Sequence, residues 1–116
     1  MFSQEIFSQE KSELIIFLNY IVMSEITQTP QTIEKEMIAS LTFHDHTPIK
    51  QSPDLMRSIE QAVTLGNGHH SKVTIIFQDD TGLKRVDTTL WANGAKFVCL
   101  KGGIWIPISR ILEIKL

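Results

Sequence analysis

The chain has 116 residues, 42% of them apolar, and a net charge of −2. That length sets one domain with a core of its own, and the single cysteine, Cys99, excludes an intramolecular disulfide and fits a reducing compartment such as the cytoplasm. Charge is uneven: residues 1–65 hold four basic and nine acidic side chains, a balance of −5, and residues 66–116 hold seven and four, a balance of +3. Either the halves attract each other or the second half carries a weakly basic face; a mixed solvated surface is the plainer reading.

Residues 1–23 read as an N-terminal extension and residues 24–116 as one α+β domain. Leu14 to Met23 is the most apolar run. It is too short to span a membrane, which takes about 20 apolar residues, and no small-residue cleavage site follows it. Residues 11–21 are crowded with Ile, Phe, Leu, Asn, Tyr and Lys, the residues of AT-rich codons. Two readings follow: an N-terminal helix or strand packed on the domain, or, slightly favoured, a native start at Met23.

Thr29-Pro30 is a helix-start signal. Ile33, Met37, Ile38 and Leu41 then recur at helical spacing, so a helix is expected from Pro30 to Phe43. Ser52-Pro53 repeats the signal. Leu55, Met56, Ile59, Ala62 and Val63 form the stripe of a second helix, Pro53 to Leu65, with Gly66 as its left-handed cap.

From Lys72 the apolar period changes to two. Val73, Ile75 and Phe77 alternate with polar neighbours, and Asp79-Asp80-Thr81-Gly82 forms a hairpin turn. A second strand runs from Leu83 to Trp91. Asn93-Gly94 is a strong two-residue hairpin signal, and Lys96 to Lys101 is the third strand. Gly102-Gly103 turns into a fourth, Ile104 to Ile108, where Pro107 belongs at an edge, a bulge or the strand's end. Ser109-Arg110 is a corner, possible as one 3₁₀ turn, before the fifth strand, Ile111 to Leu116.

Five short strands with this spacing fit one or two N-terminal helices followed by a five-stranded antiparallel SH3/Sm-like barrel at 72–116. The glycine turn at Gly82 and the segment Ile106-Pro-Ile-Ser-Arg-Ile111 carry this resemblance. The latter resembles the close of WYL-type regulatory domains and is similar to small proteins of the Bacteroidota. The Trp-Tyr-Leu signature is replaced: Cys99-Leu100 stands in its neighbourhood. The ligand sensing of that family is not carried over.

His44, His46, His69 and His70 are the residues that could hold a metal, but both pairs flank helix ends where histidine is usually solvated. Cys99, between Val98 and Leu100, reads as a small buried hydrophobe rather than a catalytic thiol. No nucleophile elbow or phosphate-cradling glycine loop is present. The expectation is a non-enzymatic binding or regulatory module with no catalytic residue and no cofactor; a metal-dependent or thiol enzyme is the remote alternative.

If Leu90 and Ile106 point inward, Trp91 and Trp105 point out, with Ile76, Val98 and Leu100 on the same outer face. Coverage of that face by the two helices is the first expectation. Failing that, it is an apolar patch for a protein partner or a homodimer contact. A second reading places nucleic acid on Trp91 or Trp105, framed by Lys84, Arg85, Lys96, Lys101 and Arg110. The balance favours a protein partner or self-association over nucleic acid, with neither a membrane nor a small molecule indicated.

Overall fold

The computed structural model describes residues 29–116. The apolar run at Leu14–Met23 and the Met23 start lie outside them. Among the described residues there are seven strands, one α-helix and two 3₁₀ segments, and the strands form two sheets, four-stranded and three-stranded. The α+β class expected from the sequence is therefore present, with one main helix. The sheets are separate and do not close into a five-stranded barrel.

The expected first helix does not form. Gln31–Thr32 (β1) instead adds parallel to β3 (Gly82–Thr88), pairing with Lys84 and Arg85, and the Ile33 amide extends the contact to the Arg85 carbonyl. A 3₁₀ segment, Lys35–Ser40, follows. It buries Ile38, and the other buried residue of the expected helix, Ile33, lies before it, five positions away. That spacing is off a helical face, so tertiary contact overrides a weak helical preference.

The helix α1 spans Leu55–His69. It starts two residues later than expected: Asp54, not Ser52, is at the N-cap with no side-chain cap bond, and the Leu55 amide donates to the Ser52 carbonyl in the turn that leads in. The helix passes straight through Gly66-Asn67-Gly68, and the left-handed cap is His70, at φ 54°. The His70 amide donates to the Gly66 carbonyl and the Ser71 amide to that of Leu65, which satisfies carbonyls the helix end leaves free. Gly66 serves packing instead. A β-carbon there would lie 2.1 Å from the Leu90 carbonyl oxygen. With Leu55, Ile59 and Ala62 it makes the buried stripe; Met56 is exposed.

The larger sheet has the order β1-β3-β2-β7, with β2 at Val73–Asp79 and β7 at Ile111–Lys115. Asp79 pairs with Gly82 across the first hairpin, and Gly82 takes φ 138°. The expected second strand is divided at Thr89: β3 stays in the larger sheet and β4 (Leu90–Asn93) opens the smaller one. Thr89 holds that corner, accepting from the Lys101 amide and donating its hydroxyl to the His70 carbonyl.

The smaller sheet is β4-β5-β6, with β5 at Phe97–Leu100 and β6 at Ile104–Pro107. The β4–β5 loop is Gly94-Ala95-Lys96, closed by the Gly94 amide on the Phe97 carbonyl, so the expected two-residue Asn-Gly turn is not used. Pro107 ends β6 and leads into the 3₁₀ turn Ile108–Arg110. Between the sheets and α1 lies one core that includes Ile59, Phe77, Leu90, Val98, Leu100, Ile106 and Ile111. Val98 and Leu100 are thus inward, against expectation. Alternation explains it: their cross-strand partners Ile106 and Ile104 turn to the core with them. Ile76 is buried as well, between Arg85 and Glu113 on the neighbouring strands.

Candidate functional site

With Val98 and Leu100 facing the core, Phe97 and Cys99 face away from it on β5. Their partners across the ladder are Pro107 and Trp105, and directly opposed residues share a face. Trp105 is 54% exposed and Phe97 44%. The helix does not cover them: α1 packs on β4 and β7. Trp91 is 44% exposed on β4, at the irregularity between Leu90 and Ala92. The expected coverage of both tryptophans by helices is therefore absent. The helix meets β4 at Leu90, where its Gly66 is seated against the backbone, and not at Trp91 or Trp105.

Trp105, Phe97 and Pro107 form one wall of a groove of about 700 Å³. Phe43 and Ile108 continue the apolar lining, and His46, Gln51, Lys96, Ser109 and Arg110 supply the polar groups. Phe43 is itself packed against the core, its ring centroid 6.1 Å from that of Phe77.

The facing wall is an irregular segment held by side-chain bonds. The Asp80 carboxylate accepts from the Thr42 hydroxyl and from the His44 and Asp45 amides. Those bonds, led by the Thr42 hydroxyl, hold its pKa below the ordinary carboxylate range. Hydrogen bonding from Thr47, first its side chain and then its amide, lowers the Asp45 pKa in the same way. Arg110 is 4% exposed. It donates to the Thr47 carbonyl at 2.7 Å and the Gln78 carbonyl at 3.4 Å. The Gln51 amide group bridges the Ile108 and Ile111 carbonyls across the 3₁₀ turn.

The five cations proposed as a nucleic-acid rim separate into two groups. Lys84 is buried and donates to Asp79 at 3.0 Å and to the Thr81 hydroxyl at 2.8 Å. Burial pushes the Asp79 pKa up, but the Lys84 and Thr81 bonds outweigh it and the net shift is downward. Arg110 is structural, as described. Arg85 is half-exposed beside Asp87, and Lys96 and Lys101 are exposed. A continuous basic rim is therefore not built: charge pairing within hairpin and corner consumes two of its members.

Of the histidines, His44 is exposed with Nδ1 3.6 Å from Asp80, His46 lines the groove, and His69 and His70 close α1. Among the described residues, no three His, Cys, Asp or Glu side chains come together as a metal site. Cys99 is half-buried on β5. Among the described residues, no helix is long and apolar enough to cross a membrane.

Phe97 and Phe43 were missed as site residues. Phe97 was legible from alternation once Val98 was read as inward; Phe43, at the end of a wrongly expected helix, was not. In comparisons with protein-family models, curated proteins and solved structures, nothing matches the chain.

Proposed function

We propose that the protein is a non-enzymatic binding module acting through protein–protein contacts at the Phe97–Trp105 face. One observation carries this reading: two large aromatic side chains stand half-exposed, diagonal to each other on one face of paired strands, at the edge of an apolar groove. Aromatic residues in such positions are typical interface anchors, and isolated exposed apolar residues would not gather this way. The chain path supports an SH3/Sm-like arrangement as the scaffold: β2, a strand bent at Thr89, β5, β6, a 3₁₀ corner and β7. The nucleic-acid reading has less support, because Lys84 and Arg110 are buried.

The test is affinity purification from the native host with the wild type and the Phe97→Ser/Trp105→Ala double variant, quantified by mass spectrometry. Both sites are exposed, so the variant keeps its stability to within about 0.5 kcal/mol. Specific partners should be lost with the double variant. An identical set retained by both proteins refutes the assignment.

A further inference from the structure

We infer that the groove selects an acidic, apolar segment of its protein partner, an apolar side chain lying between Phe97 and Trp105 and an adjacent carboxylate meeting Lys96. This deepens the protein-binding reading above and rests on it. Charge complementarity carries the argument. The lining contains no Asp or Glu, and its two permanent charges, Lys96 and Arg110, are both positive. Lys96 is exposed in the β4–β5 loop, immediately before Phe97.

Arg110 contributes differently. It is nine-tenths buried, and its Nη2 makes no hydrogen bond among the described residues. The nearest acid is Asp45, with Oδ2 3.9 Å from that nitrogen. Asp45 belongs to the far side of the irregular segment and does not line the groove. The groove wall therefore contains a fixed cation next to apolar surface, and the acid it pairs with, Asp45, lies outside the groove. A charge so placed projects potential into a concave site more strongly than a solvated one. A basic segment would meet repulsion there, and a purely apolar one would leave the Lys96 charge unused.

The experiment is an amide-resonance titration of the full 116-residue protein with three capped hexapeptides. Their sequences are Gly-Glu-Phe-Leu-Glu-Gly, the matched Gly-Lys-Phe-Leu-Lys-Gly, and Gly-Glu-Ser-Ser-Glu-Gly. The first should shift Lys96, Phe97 and the Trp105 indole, binding about fivefold or more tightly than the second. Lys96→Glu should reverse that preference without altering the fold. Equal binding of the first two peptides overturns the charge inference while leaving the groove as a protein site. Binding of the third as tight as the first overturns it as well, since bulk attraction alone would then suffice. If no peptide moves these resonances, both this inference and the protein-binding reading fall. A dimer in light scattering, with Trp105 shielded, gives the groove to a second copy and overturns the acidic-partner inference alone.

Discussion

Gly66 has no side chain because none fits: the Leu90 carbonyl oxygen lies 2.1 Å from where a β-carbon would stand. Glycine usually costs a helix up to about 1 kcal/mol relative to alanine. Here that preference is outweighed, because the obstruction is backbone and not the end of a flexible side chain. Gly66→Ala should therefore destabilise the protein by about 3 kcal/mol, as overpacking against a fixed neighbour does, read as a lower urea midpoint. Gly68 has open space around that position, so Gly68→Ala should leave the midpoint unchanged or raise it. Equal effects at both glycines would refute the packing account. The distinction is invisible in the sequence, where Gly66 reads as the helix's left-handed cap and not as a packing residue.

At the scale of an element, the segment at residues 42–47 owes its shape to Asp80. It has no regular structure, yet three donors in Thr42, His44 and Asp45 converge on one carboxylate from the β2–β3 turn. The folded pKa of Asp80 is lowered while the unfolded value stays near 3.9. Its contribution is thus complete above about pH 4 and is lost as pH falls through the folded pKa. Asp80→Ala should lower Tm at pH 7 and increase amide exchange at residues 42–47. The Tm gap from wild type should narrow at pH 3. A gap that stays constant with pH would refute the role of the ionised carboxylate. The sequence showed Asp79-Asp80 as turn residues and showed correctly where the hairpin is. It could not show that the second acid reaches a segment more than thirty positions away.

For the whole molecule, the decisive outcome is which face α1 covers. Seated across β4 and β7 by its Leu55, Ile59, Ala62 and Gly66 stripe, it leaves the far face of β5 and β6 open. Both tryptophans should then be accessible to acrylamide, with emission shifted to long wavelength. Quenching should fall when a partner binds. Emission typical of buried indole in a dilute monomer would contradict this arrangement.

The sequence by itself determined two of the turns and the alternation along β2 and β6, but neither the β4–β5 turn nor the inward aim of Val98 and Leu100 on β5. Asp79–Gly82 and Gly102-Gly103 punctuate the strands because they carry residues tolerant of unusual backbone angles, and Ile106-Pro-Ile carries its own stop. Strand positions and the outward aim of Trp91 and Trp105 follow from such local rules. The tertiary structure decided everything that depends on distant partners. Gln31–Thr32 became a strand because β3 offered an unpaired edge. Lys84 and Arg110 left the surface because Asp79, Thr47 and Gln78 awaited them. The Phe97–Trp105 groove exists because a wall fastened by Asp80 and Arg110 faces it. Local preferences amount to fractions of a kcal/mol per residue, whereas apolar burial in the assembled fold is worth several-fold more.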